Sequence, residues 1–220
     1  MEGNSPEIES SQRGPHARLA DVVRRHRDHA WRAPLHAPTQ APFARWLAGH
    51  DRAMPLIVDL GCGLGDSTLG LALRHPDAVL LGVDQSAHRL ARLAPTGFAV
   101  HGRTTLMRAE AATVLRLLAA NQLRIDTLYL LYPNPWPKPE HLQRRWHGHP
   151  VFPTLLSVAR RIVLRTNWRI YADEFALALA LLGRAGVVAP LASDAVVLTP
   201  FERKYRSSGH ACVELVSDDA

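Results

Sequence analysis

The run Leu56-Ile57-Val58-Asp59-Leu60 passes directly into Gly61-Cys62-Gly63-Leu64-Gly65, and this junction restricts the fold more than any other feature of the chain. A short, unbroken apolar run has the character of a strand buried on both faces, as in a parallel sheet. Three glycines at alternate positions let the backbone turn sharply out of that strand, with no Cβ in the way of a ligand. Asp66 to Arg74 then reads as a helix, stopped by His75-Pro76-Asp77. A second apolar strand, Ala78 to Val83, leads to Asp84, roughly 20 residues beyond the glycines, where an acid can accept hydrogen bonds from ribose hydroxyls.

The alternation continues. Ser86 is placed to cap a helix through Leu93, with Pro95 and Gly97 beyond its end. Phe98–Val100, or Thr104–Met107 after it, supplies a third strand. Glu110 to Ala120 is a helix with Val114, Leu117 and Leu118 on one stripe. Asp126 to Tyr132 is a fourth strand, 152–160 a helix, 161–166 a fifth strand and Ala172 to Leu182 another helix. Ala195–Thr199 and Ala211–Val216 read as a closing hairpin. Upstream, residues 1–15 have the composition of a disordered tail, and 17–30 form a basic helix. Residues 32–42 read as an irregular connection before a short helix through Phe43, Trp46 and Leu47. The expected organisation is a tail over 1–15, a helical extension over 16–50 and one domain over 51–220. Strands alternating with helices predict a mainly parallel sheet with helices on both faces.

With 220 residues, 47% of them hydrophobic, the chain can build one α/β core but not two ordinary domains. It has no apolar run of about 18 residues and no signal-peptide core, so no membrane span is expected. Cys62 and Cys212 give no disulfide framework, and a cytoplasmic location is the default. The formal net charge is +6. Much of the excess lies in Arg13, Arg18, Arg24, Arg25, Arg27 and Arg32, and in Lys138, Arg144, Arg145, Arg160, Arg161, Arg165 and Arg169. A basic surface of this kind suits phosphate-rich partners. The alternative is a general preference for arginine, because Lys138 and Lys204 are the only lysines. His141, His147 and His149 match no zinc spacing, so no metal is expected.

The glycine turn admits two ligands. A dinucleotide site would normally read G-x-G-x-x-G, so that a helix N-terminus meets pyrophosphate. This chain reads G-x-G-x-G, with Asp59 before it and Asp66 after it. Acids there repel pyrophosphate but suit the ammonium and sulfonium charges of S-adenosylmethionine. The pattern resembles the first motif of class I methyltransferases. In that fold an acid in the place of Glu110 commonly meets the adenine amino group, although Glu110 also suits the dipole at a helix start.

Strand four runs into Tyr132-Pro133-Asn134-Pro135-Trp136-Pro137-Lys138, where three prolines fix a rigid loop at the ligand-binding end of the sheet. YPNPWPK, then HLQRRW and FPTLL, resembles the signature of bacterial tRNA (guanine-N7)-methyltransferases. Two later segments agree: Thr166-Asn167-Trp168 with Tyr171-Ala172, and Thr199-Pro200-Phe201-Glu202 with Gly209-His210. The resemblance covers roughly residues 56–216. It implies a Rossmann-like class I fold with a mainly parallel seven-stranded sheet, S-adenosylmethionine as cofactor and tRNA as partner, in a monomer or homodimer. By position, Asp59, Gly61, Gly63, Asp84, Glu110 and Asn134 would hold the cofactor, and Asn134 would be the catalytic residue. Lys138, Asn167, Thr199 and Glu202 would bind substrate, with Arg144 and Arg145 on phosphates. Asparagine replaces the family's aspartate at Asn134 and at Asn167, Pro200 replaces a lysine, and the usual Gly-Gly turn before strand five is missing. These departures leave two alternatives: a methyltransferase for another amine or small molecule, and a non-catalytic RNA- or cofactor-binding relative.

Overall fold

The computed structural model describes residues 4–219. Two helices, α1 (Leu19–Asp28) and α2 (Ala37–Ala48), precede β1 (Leu56–Leu60), α3 (Asp66–Arg74), β2 (Val79–Asp84) and α4 (Ala87–Leu90). Next come β3 (Phe98–His101), β4 (Thr104–Arg108), α5 (Ala111–Ala120) and β5 (Ile125–Leu131). After the proline loop and two 3-10 turns, Pro139–Arg144 and Trp146–Gly148, follow α6 (Phe152–Val158), β6 (Ala159–Thr166) and α7 (Arg169–Leu181). β7 (Val187–Pro190), α8 (Pro200–Ser207) and β8 (Val213–Asp218) close the chain.

The strands form one sheet in the order β3-β4-β2-β1-β5-β6-β8-β7. The five from β4 to β6 are parallel, and β3, β8 and β7 run antiparallel to their neighbours. The expected mainly parallel Rossmann-like architecture is present with eight strands rather than seven. The two segments that competed for one strand both form, as a hairpin turning at Gly102, whose φ is 59°. The closing hairpin also differs from expectation. β8 pairs with Val187–Pro190, whereas Ala195–Thr199 is not a strand and ends as the N-cap of α8.

The central strands are buried on both faces, and successive side chains alternate between two cores. Val58, Leu60, Leu81 and Val83 face the large core with α1, α2, α5, α6 and α7, whereas Ile57 and Leu80 face α3. The N-terminal helices belong to that core, because Leu19, Val22, Val23, Phe43 and Trp46 are buried in it. The connection over 32–42 is shorter than expected, since α2 starts at Ala37. Pro38 sits in its first turn, where a missing N–H costs little, and Pro42 lies inside the helix. Residues 4–15 lack regular structure, but they are not a free tail. Ser10 Oγ donates to the Pro137 carbonyl at 2.6 Å, and the Ser5 carbonyl is 2.9 Å from His210 Nε2. Residues 1–3 of the expected tail lie outside the described residues. No helix of the described residues is long and apolar enough to cross a membrane.

Candidate active site

Strand order reverses between β1 and β5, and ligands of open α/β sheets bind beyond the carboxyl ends of such strands. The glycine turn leaves β1 there and the proline loop leaves β5. Gly61 and Gly63 have φ of 88° and 59°, and a Cβ on either would project into open space. They let the chain turn without putting a side chain over the site.

Asp59 lies beneath this turn, 1% exposed. Its Oδ2 accepts hydrogen bonds from Ser67 Oγ at 2.6 Å and Thr68 Oγ1 at 2.8 Å, in the first turn of α3. Burial pushes its pKa up to about 6, against the opposing pull of those two hydroxyls. Asp59 lines neither of the cavities described below. Through Oδ2 it ties β1 to α3 and fixes the turn from behind, so Asp59 stands behind the cavities rather than on their walls. Cys62 is also buried, and burial raises the pKa of its thiol.

Asp84, at the end of β2, does reach the site. Its Oδ2 accepts from the Gly63 N–H at 3.0 Å and its Oδ1 from the Ser86 N–H at 2.8 Å, so one carboxylate joins two loops. Glu110 is the N-cap residue of α5. Its backbone N–H donates to Thr39 Oγ1 at 2.9 Å, and its carboxylate accepts from the Thr113 hydroxyl. Thr113 Oγ1 in turn accepts from the His36 N–H at 3.0 Å, so the starts of α2 and α5 lock together around Glu110.

Two cavities open here. The larger, about 450 Å³, is lined by Gly61, Asp84, Glu110, Trp136, Arg144 and His149 among others. The smaller, about 220 Å³, is lined by Gly63, Asp66, Asn167, Thr199, Phe201 and Tyr205 among others. Gly61, Arg89, Tyr132, Pro133 and Asn134 line both. Asn134 thus stands on the wall the two cavities share. It is held on a strained loop: Tyr132 and Trp136 have φ of 52° and 45°, a region few residues other than glycine adopt. Asn167 donates from Nδ2 to His210 Nδ1 at 3.0 Å.

The other expected substrate residues divide. Arg144 is exposed and stacks over the Trp136 ring, 4.7 Å from its centroid. Lys138 is exposed but lines neither cavity. Thr199 lines the smaller cavity, with its Oγ1 accepting from the Glu202 N–H at 2.9 Å. Two assignments are corrected. Glu202 is fully buried, and both its oxygens lie 3.1 Å from Arg165 Nη1. Arg145 is also fully buried, 2.6 Å from Glu174, so it cannot meet a phosphate. Arg165, 9% exposed, likewise leaves the basic surface.

Sequence reasoning missed Arg89, Tyr132, Thr39 and His149. Arg89 carried a usable signal, since it sits on the helix that follows the ribose-position acid. His149 lines the larger cavity, and Thr39 supports Glu110 behind it, only through tertiary packing, which no local pattern records. Among the described residues, no group of three or more His, Cys, Asp or Glu side chains is arranged to hold a metal.

The chain is similar to known methyltransferases. A family profile described as "Putative methyltransferase" matches residues 53–215. A tRNA (guanine-N(7)-)-methyltransferase of Nocardioides sp. is 30% identical over 203 residues, covering 84% of this chain and 75% of the relative. One of Burkholderia lata is 28% identical, covering 78% of this chain and 69% of the relative. Among solved structures, the 16S rRNA methyltransferase KamB is similar with a TM-score of 0.58 and 18% identity, covering 83% of this chain and 94% of that one, a likeness of fold. The chain belongs to the tRNA (guanine-N7)-methyltransferase family of S-adenosylmethionine-dependent methyltransferases.

Proposed function

We propose that this protein methylates N7 of a guanine in tRNA, in the cytoplasm. The observation that carries the reading is the shared wall. A donor cavity and an acceptor cavity meet at Asn134, as a group transfer between two bound molecules requires.

The larger cavity suits S-adenosylmethionine. Its volume of about 450 Å³ lies within the range of small-molecule sites, about 300–1,000 Å³. Asp84 is fixed by two backbone amides on the wall, ready to accept from ribose hydroxyls, and Glu110 is fixed by Thr113 to meet the adenine side. Gly61 and Gly63 leave the approach free of side chains. When bound, the cofactor supplies an electrophilic methyl group on a sulfonium sulfur.

The remaining chemistry is positional. Guanine N7 carries a free lone pair, so no residue has to remove a proton before it attacks. An amide at Asn134 is therefore compatible with the reaction: its oxygen accepts one hydrogen bond from the base and orients it. Asn167, held by His210, bounds the same cavity. Phe201 and Tyr205 give it an aromatic wall, a surface on which an unstacked base can rest. Arg144 and Lys138 lie exposed beside the loop, available to phosphates.

A salt titration separates a nucleic-acid acceptor from a small amine. Binding of bulk tRNA is expected to weaken by about 10-fold or more between about 50 and 200 mM salt, because phosphate contacts release counterions. Absence of tRNA binding, with salt-independent methylation of a small amine, would overturn the reading.

A further inference from the structure

The proline loop cannot shape itself. Pro133, Pro135 and Pro137 have no N–H, so the segment forms neither a ladder nor a conventional turn, and its carbonyls need donors from elsewhere. Three consecutive carbonyls find them. Arg145 donates from Nε and Nη2 to the Trp136 carbonyl at 3.2 and 3.0 Å, and from Nη2 to the Lys138 carbonyl at 3.3 Å. Ser10 Oγ takes the Pro137 carbonyl between them at 2.6 Å.

Arg145 is itself anchored. Its Nη1 donates to Glu174 Oε2 at 2.6 Å, and its guanidinium carbon lies 4.8 Å from the centroid of the Trp168 ring. Glu174, fully buried on α7, has both oxygens engaged. Oε2 also accepts from His147 Nε2 at 2.8 Å, and Oε1 accepts from the His16 N–H at 2.8 Å and from the Gln12 side chain. Burial opposes its ionisation, but His147 and Arg145 outweigh that and hold its pKa at about 2.

We infer that Arg145, fixed by Glu174, is a positioning residue for methyl transfer: it sets the backbone of the loop that carries Asn134, and the N-terminal segment completes the brace through Ser10 and Gln12. Apart from one bond from Nη2 to Gln12 Oε1 at 3.1 Å, the donors of Arg145 not paired with Glu174 that have partners reach one strained loop, so this buried ion pair does more than hold helices together. The inference rests on the acceptor loop being the one read above. A guanidinium is required, because its planar fork reaches two carbonyls and a carboxylate at once and an ammonium does not.

The test combines two readouts in Arg145→Lys. Amide hydrogen exchange needs no substrate. It should accelerate over residues 134–146 and stay unchanged in β1 and β2. Unchanged exchange over 134–146, or acceleration throughout the sheet, would overturn the inference. In tRNA methylation, kcat should fall by about 10- to 100-fold, as misplacement of a reacting group typically gives. Paired with Asn134→Ala, the losses should be non-additive, because Arg145 acts through Asn134. Additive losses would contradict this. If Arg145→Lys does not fold, Ser10→Ala, which removes the single donor to Pro137, decides by the same two measurements. If the unsubstituted protein methylates no tRNA, the proposed substrate fails and the exchange experiment still decides the positioning claim.

Discussion

At Asp59 the balance of burial and hydrogen bonding leads to a pH effect with a definite sign. Burial raises its pKa from an ordinary 3.8 to about 6. Between those values the folded chain keeps a proton that the unfolded chain has released. This contribution to stability is therefore full below pH 3.8 and is lost as pH rises through about 6, a loss of about 3 kcal/mol. Asp59→Asn keeps an acceptor for Ser67 and Thr68 but removes the titration. Its stability relative to the unsubstituted chain should rise across that window, as chemical denaturation at pH 4 and pH 7 would show. Equal pH dependence in both proteins would refute the assignment. The residue scale is also where sequence patterns mislead most. Asp84, Glu110 and Asn134 were legible, because each sits at a fixed place relative to a strand end. Arg145 and Glu202 were not, because their partners, Glu174 and Arg165, lie 29 and 37 residues away. An arginine beside a basic loop looks like a phosphate contact until its carboxylate is found inside the core.

Among the elements, α8 shows how a legible signal can be outweighed. Thr199-Pro200-Phe201-Glu202 carries the marks of a helix start: a threonine cap, proline in the first turn and a glutamate three residues on. The apolar run just before it suggested a strand, and the strand is elsewhere, at Val187–Pro190. In the structure Thr199 accepts from the Glu202 N–H, and Glu202 Oε2 accepts from the Leu198 N–H at 3.4 Å. Thr199→Ala should cost about 0.5–2 kcal/mol of stability through the lost cap. Because Phe201 and Tyr205 sit on this helix, tRNA KM should rise while cofactor affinity holds. A thermal melt together with steady-state kinetics checks both, and a cofactor affinity that fell in step with tRNA affinity would contradict the separation of the two cavities. The βα units read correctly because a buried strand, a turn and an amphipathic helix each leave a local signature. α3 has the expected bounds, and β5 lies within one residue of its expected bounds. The opening of α2 was hidden by its prolines, which suit a first helical turn as well as a loop.

Across the whole molecule, residues 5–16 and the segment around His210 meet beside the candidate site. Residues 5–16 run from His210 past Pro137 to Glu174, joining the segment that follows α8, the proline loop and α7. Composition alone marked that stretch as a tail, since it is polar and rich in glycine, serine and proline. It is held by Ser10, which donates to a loop deprived of its own donors, and by the bonds of Gln12 and His16 to Glu174 and of Ser5 to His210. The net charge of +6 also changes meaning, because Arg145 and Arg165 balance buried carboxylates and add nothing to the outer field. The basic surface that remains includes Arg144, Lys138 and the exposed arginines of α1. The central claim is that these features serve methyl transfer to guanine N7 of tRNA. The most direct measurement incubates the protein with unmodified tRNA and S-adenosylmethionine labelled in its methyl group, digests the product to nucleosides and locates the label. The account predicts label in 7-methylguanosine. Label in another nucleoside, or none in tRNA while the cofactor still binds, would contradict it.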